Sequence, residues 1–250
     1  TSNEEGDSSD GFIDKIVNDM IDVDEKIDLC LVGEPTSYLK IGDSVRIGRR
    51  GSLGGSLKVL GKQGHIAYPE NVNNPIFSAS DAIVELKNTV WDNGNAIFQP
   101  TSFQISNIHS GTGAKNVVPG ELEMFFNFRY STESSQETLI DEFEAILKKL
   151  NIEYEIDWKL SGLPYLTEKD NLKDVVVKSI EKITGYSPDL NAKGGTSDGR
   201  FIAKMGTEIV ELGPLNETIH QIDEHIKISE LWTLKNIYTD ILKGLNKKLA

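Results

Sequence analysis

The four histidines, His65, His109, His220 and His225, lie far apart and show no HxH or HxxxH spacing. A metal site using them must therefore collect ligands from distant segments. The acids that suit such a site stand where strands end. Glu34 follows an apolar run and precedes Pro35, and Glu4-Glu5 precedes a glycine. Adjacent side chains of extended chain point to opposite faces, so one of Glu4 and Glu5 can bind a metal while the other stands beside a water as general base. An acidic surface turn also accounts for Glu4-Glu5, and a hydrogen-bonded structural histidine for His220. His65, in Gly61-Lys-Gln-Gly-His-Ile-Ala-Tyr-Pro69, follows a strand. Its imidazole can polarise a carbonyl or hold an oxyanion there; a solvated loop histidine is the alternative.

Arginine is used sparingly. Only Arg46, Arg49, Arg50, Arg129 and Arg200 occur, against 21 lysines. Its flat fork grips a carboxylate through two parallel hydrogen bonds, which lysine cannot reproduce. A ligand with several carboxylates explains the set, and so does structural ion pairing. Gly194-Gly-Thr-Ser-Asp198 precedes a short helix predicted over 199–204 and offers backbone N–H groups to an anion, or a plain N-cap. Gly111-Thr-Gly-Ala-Lys-Asn-Val-Val-Pro119 joins two strands and sets Asn116 on a turn. It lacks the strand-to-helix context of a phosphate-binding loop, which argues against nucleotide binding.

These residues are carried by a chain of 250 residues and 27.7 kDa, enough for one large domain or two ordinary ones. Its 39 acidic and 26 basic residues give a formal charge of −13 and a pI near 4.8, which disfavours nucleic-acid phosphates and anionic lipid. The single Cys30 allows no intrachain disulfide and fits a reducing, cytoplasmic setting. No apolar run approaches the roughly 18 residues of a membrane span.

Periodicity predicts helices over 11–20, 75–90, 135–150, 171–184 and 229–249. It predicts strands over 26–33, 52–60, 102–108, 121–128, 152–158 and 208–212. The order across 52–160 is β-α-β-β-α-β, the split pattern of a ferredoxin-like sandwich. The expected architecture is an α/β domain of residues 1–50 and 162–250, built from both chain ends, with an α+β domain of residues 51–161 inserted. A single irregular α/β domain is the alternative.

Six segments then stand together in order: Val32-Gly-Glu-Pro-Thr-Ser37, Gly48-Arg-Arg-Gly-Ser-Leu53, the His65 segment, Gly111 to Gly120, Gly194-Gly-Thr-Ser-Asp-Gly-Arg-Phe201 and Gly213-Pro-Leu-Asn-Glu-Thr-Ile-His220. They resemble the succinyl-diaminopimelate desuccinylases, within the dinuclear-zinc amidohydrolase and peptidase family that also holds acetylornithine deacetylase and carboxypeptidases. The resemblance runs through essentially the whole chain. It implies a parallel-sheet catalytic domain interrupted by a ferredoxin-like dimerisation or lid domain, in a cytoplasmic homodimer with two zinc ions per subunit, cobalt being possible.

The resemblance further implies that Glu4 is the general base, that Glu5 and His220 bind one metal and that Glu34 binds the other. His65 would reach a partner subunit's active site to hold the oxyanion. Arg49, Ser52, Tyr68, Asn116, Arg129, Gly195, Thr196 and Arg200 would contact a substrate bearing several carboxylates. The implied reaction removes the succinyl group of N-succinyl-LL-2,6-diaminopimelate, for lysine and diaminopimelate biosynthesis. Acetylornithine deacetylation and a non-catalytic dimerisation module are the rival readings. The sequence departs from the family in lacking an upstream His motif and a metal-bridging Asp, and Asn3 stands where Asp is usual. An N-terminally truncated chain, inactive by itself, is therefore expected.

Overall fold

A computed structural model of the chain describes residues 12–249, with side chains described as far as residue 246. In chain order the elements are α1 (Phe12–Asp22), β1 (Leu29–Val32), β2 (Ser44–Arg46), β3 (Gly48–Arg49), β4 (Gly51–Leu60), β5 (Gly64–His65), α2 (Pro75–Asn88), β6 (Ser102–Ser110), β7 (Val117–Val118), β8 (Glu121–Tyr130), α3 (Gln136–Lys149), β9 (Tyr154–Gly162), β10 (Tyr165–Leu166), α4 (Asn171–Thr184), β11 (Asp189–Asn191), α5 (Gly199–Ile202), β12 (Glu208–Glu211) and α6 (Ile228–Leu249). The chain divides into a first unit of residues 1–50 and 164–250 and a second unit of residues 51–163.

The second unit follows the predicted β-α-β-β-α-β order as β4-α2-β6-β8-α3-β9. Its antiparallel sheet runs β6-β8-β4-β9. β8 alternates strictly, burying Leu122, Met124, Phe126, Phe128 and Tyr130 while the intervening residues stay half-buried or exposed. These pack with Leu53, Leu57 and Val59 of β4 against Ala79, Ala82 and Leu86 of α2 and Leu139 and Phe143 of α3. Phe126 stacks on Phe143 with centroids 4.7 Å apart. Local signals set the helix ends. Asn74 accepts the Ile76 amide at 3.0 Å ahead of Pro75, and Ser135 and Thr138 close a capping box on α3.

The loop from α2 to β6 is tied down by Asp92. Its carboxylate accepts the amides of Gly94 and Thr101, each at 2.8 Å, and the hydroxyls of Thr101, Ser131 and Ser134. Burial by itself would raise this carboxyl's pKa, but these donors, Thr101 foremost, hold it at about 2. A carboxylate whose folded pKa lies below its unfolded value stabilises the fold above the unfolded pKa and loses that contribution as pH falls through the folded one. Asp92 should therefore stabilise the second unit fully above about pH 4. The contribution should fade toward pH 2, and Asp92→Asn should flatten this part of an acid titration followed by Trp91 and Trp158 fluorescence. An unchanged acid limb in the variant would remove Asp92 from the account.

The first unit holds a sheet of order β1-β12-β2-β11. β1 and β12 pair in parallel, as do β2 and β11, while β12 meets β2 antiparallel through Glu211 opposite Arg46. The sheet is thus mixed, two parallel pairs joined by one antiparallel step. α4 packs on α6 and on β12, burying Leu172, Val176 and Ile180 together with Leu234, Ile237 and Ile241. Asp170 gives α4 no side-chain cap. The buried Glu208 carboxylate takes that place, accepting the amides of Leu172 and Lys173 at 2.5 and 3.2 Å. β2, β3, β10 and β11 escape the periodicity reading, because strands of two or three residues such as Ser-Val-Arg and Asp-Leu-Asn carry too short an alternation. Among the described residues no helix is long and apolar enough to cross a membrane.

Candidate functional site

In the first unit the chemistry-bearing segments leave the carboxyl ends of the parallel neighbours β1 and β12, where open α/β sheets place their ligands. Glu34 follows β1 by two residues. The Gly213–His220 segment leaves β12 beside it, and hydrogen bonds staple the two loops. The Leu212 amide donates to Val32 O at 3.0 Å, Ser37 N to Pro214 O at 3.1 Å and Asn216 N to Ser37 O at 2.9 Å. Ser37 Oγ donates to Gly213 O at 2.8 Å, and Thr36 Oγ1 accepts the Gly213 amide at 3.1 Å. A Cβ on Gly213 would collide with the Glu34 carbonyl, so only glycine lets the loops run this close. A turn at Asn216–Ile219 then delivers His220, exposed and held at φ 58°, a conformation that a non-glycine residue adopts only where its surroundings impose it.

Beneath these loops lies a buried charge centre absent from the sequence expectations. Glu211, fully buried at the end of β12, accepts Nε of Arg49 at 2.9 Å together with Nη2 of the same fork. Its other oxygen accepts the Tyr165 hydroxyl at 2.6 Å and the Ser197 hydroxyl. Nη1 of Arg49 donates to the carbonyls of Gly195 and Lys193 at 3.1 and 3.3 Å. Burial alone would lower the pKa of Arg49, but Glu211, with Tyr165 and Glu34 further off, pushes it above its ordinary value. Burial, and then Glu211, raises the pKa of the Tyr165 phenol.

Arg49 was expected to grip a substrate carboxylate; its fork is instead occupied by Glu211 and two loop carbonyls. Arg46 is likewise internal, donating to Ser44, to Asn191 Oδ1 at 2.7 Å and to the Tyr38 hydroxyl at 2.8 Å. For these two arginines the structural ion-pair and hydrogen-bond alternative describes what is seen. The signal for Glu211 was available in Glu208-Ile-Val-Glu-Leu-Gly213, because acids within an apolar strand are rarely buried without partners.

The Gly194–Thr196 loop runs over the Arg49 guanidinium. Gly194 has φ +97°, and a Cβ there would lie 2.8 Å from Arg49 Nη1. Gly195 is exposed and Thr196 half-buried. Asp198 makes no side-chain cap on α5, so the plain N-cap alternative does not describe this loop. Arg200 donates to Ser197 O at 3.0 Å and lies over the Phe201 ring at 4.2 Å.

In the second unit β5 pairs with β7, setting His65 opposite Val117, and Ile66 N donates to Asn116 O at 3.1 Å. His65, Tyr68 and Asn116 are thereby gathered at one exposed two-stranded ribbon, the rings of His65 and Tyr68 having centroids 5.9 Å apart. The Ala67 amide donates to His65 Nδ1 at 3.1 Å. A neutral ring then carries its proton on Nε2 and presents a donor to solvent. Ser52 and Arg129 are direct cross-strand neighbours of β4 and β8, on the sheet face turned away from the helices. The Ser52 hydroxyl accepts from Asn127 Nδ2 at 3.2 Å.

Glu4 and Glu5 lie outside the described residues. Among the described residues no three His, Cys, Asp or Glu side chains gather as a metal site. Glu34 and His220 supply one carboxylate and one imidazole from stapled neighbouring loops. Both are donor types that zinc takes, short of a complete shell.

Residues 47–155 match the family model described as the peptidase dimerisation domain. The chain is 51% identical over 245 residues to a succinyl-diaminopimelate desuccinylase of Methylococcus capsulatus, and 54% identical over 245 residues to one of Acinetobacter baumannii. In both cases 98% of this chain is matched, and the chain spans 65% of the relative's length. Among solved structures, an M20 family metallo-carboxypeptidase from Sulfolobus solfataricus superposes with a TM-score of 0.75 at 15% identity, covering 95% of this chain and 68% of that one. Residues 47–155 thus match a peptidase dimerisation domain, and the fold resembles that of this metallo-carboxypeptidase. Along 98% of its length the chain is similar to succinyl-diaminopimelate desuccinylases.

Proposed function

We propose that this chain serves the metal-dependent hydrolysis of N-succinyl-LL-2,6-diaminopimelate to LL-diaminopimelate and succinate. The supporting observation is identity of 51–54% to desuccinylases along 98% of the chain. Glu34, His220 and Glu5 would hold two zinc ions, cobalt suiting the same donors. When bound, the ions polarise the scissile carbonyl and acidify water. Glu4 takes the proton from the attacking water and returns it to the leaving amine. His65 donates its Nε2–H to the developing oxyanion in a partner subunit. Residues 1–50 and 162–250 form the catalytic domain, and residues 51–161 the dimerisation and lid domain of a cytoplasmic homodimer.

Substrate carboxylates are met by Arg129, Ser52, Tyr68, Asn116, Arg200 and the Gly195–Thr196 backbone, while Arg49 holds that backbone in place. Arg129→Ala should raise KM about tenfold or more with little change in kcat or thermal midpoint, since a charge-assisted fork is lost from a half-exposed position. An unchanged KM would remove Arg129 from the binding set.

The reading is tested by placing this chain in the Acinetobacter baumannii relative, in exchange for the 245 matching residues, and assaying release of amine. Succinyl-diaminopimelate should be hydrolysed at least about 100-fold better than acetylornithine by kcat/KM, and chelation should abolish the rate. Preference for acetylornithine would move the chain to the deacetylases. A folded chimera that binds no metal would support a non-catalytic module.

A further inference from the structure

The loop that offers Gly195 and Thr196 has no regular structure of its own to hold it. Among the described residues, the amides of Gly194, Gly195 and Thr196 donate no hydrogen bond within the chain. Besides the Lys193 amide on Asn191 Oδ1 and the Ser197 carbonyl on Arg200, both at 3.0 Å, its conformation hangs on three contacts. Two are the Lys193 and Gly195 carbonyls, both taken by Nη1 of Arg49, and the third is the Ser197 hydroxyl, taken by Glu211. Arg49 is in turn fixed by Glu211 through Nε and Nη2. These three contacts lead to one carboxylate, which also accepts the Tyr165 hydroxyl at 2.6 Å. The same carboxylate sits on β12, two residues before Gly213, which opens the segment that leads to His220.

We propose that Glu211 is a positioning residue for carboxylate recognition. Through Ser197 directly and through Arg49 indirectly, it holds Gly194–Thr196 with its backbone donors free for a substrate carboxylate. This rests on the desuccinylase reading for the identity of the ligand, and on the hydrogen-bond geometry alone for the ordering of the loop. Glu211 touches no substrate in this role. It acts by removing the conformational freedom that two consecutive glycines would otherwise bring to the binding step.

The test uses the 250-residue chain with backbone amide relaxation and titration with succinate as the probe. In the unaltered chain the amides of Gly194, Gly195 and Thr196 should show order parameters near about 0.85, as in rigid backbone. In Ser197→Ala, which cuts the direct link and leaves the Arg49–Glu211 pair intact, they should fall below about 0.6. The thermal midpoint and the β12 amides should stay unchanged, and succinate should bind about tenfold more weakly. Glu211→Gln should loosen the same amides further, and the Ser197 variant keeps the proposal open to test should that protein fail to fold. Unchanged loop order in Ser197→Ala would overturn the proposal, as would loosening that appears only together with a fallen thermal midpoint. Absence of succinate binding to the unaltered chain would overturn the ligand assignment, while the order parameters still decide whether Glu211 sets the loop and the chimera's kcat/KM ratio decides the desuccinylase reading.

Discussion

Replacing Arg49 with methionine should destabilise the first unit by about 3–5 kcal/mol, the loss typical of breaking a buried ion pair from one side. The side chains of Arg49 and Glu211 are 8% and 0% exposed. The variant therefore strands a carboxylate where water cannot replace the lost donors. Tyr165 and Ser197 still donate to Glu211, but two neutral hydroxyls do not balance a buried charge. The effect is best read from hydrogen exchange of the Ile209 and Leu212 amides, bonded to Thr167 Oγ1 at 2.9 Å and Val32 O at 3.0 Å. These report opening of the first unit without requiring both units to unfold together. Removing both charges, in Arg49→Met with Glu211→Leu, should recover at least half of the loss, because burying no charge costs less than burying one alone. A loss below about 1 kcal/mol in the single variant would mean that water reaches Glu211 and that the pair is not a buried one.

His65→Ala should lower kcat by about 10²–10³-fold in the chimeric enzyme while leaving metal content and KM nearly unchanged, the pattern of a donor that acts on transition-state charge. The ring is fixed for this purpose. Ala67 N–H occupies Nδ1, and the β5–β7 ladder holds the backbone, so Nε2–H is the outward-facing donor. His65→Gln retains an N–H of similar reach and should recover part of the rate. A kcat within threefold of the parent in His65→Ala would leave the imidazole as an exposed loop residue without a role in the chemistry.

The helices and longer strands were legible in the chain because their signals are local. The Leu139, Phe143, Ile146 stripe of α3 lies between a Ser135 cap and terminal lysines, and the alternation of β8 runs through ten residues. Those signals sufficed to place a β-α-β-β-α-β block between two chain ends. The first-unit sheet was harder to read. Two of its four strands, β2 and β11, have three residues each and owe their pairing to partners more than 140 residues distant, such as Arg46 opposite Asn191. Their polar residues are buried because the fold supplies hydrogen-bond partners, which no local pattern announces.

Residue type and order alone determined the acidic character of the chain, its longer elements and a scattered set of Glu, His and Arg whose chemistry suits metal and carboxylate. The tertiary structure decided which of them share a place: Glu34 and the His220 segment on adjoining strand ends, and His65 with Tyr68 and Asn116 at one two-stranded ribbon. It also turned Arg49 inward, away from solvent, onto Glu211. The physical reason is that a hydrogen bond or ion pair within a buried centre depends on the three-dimensional approach of segments distant in sequence, and periodicity records only which face of its own element a residue occupies.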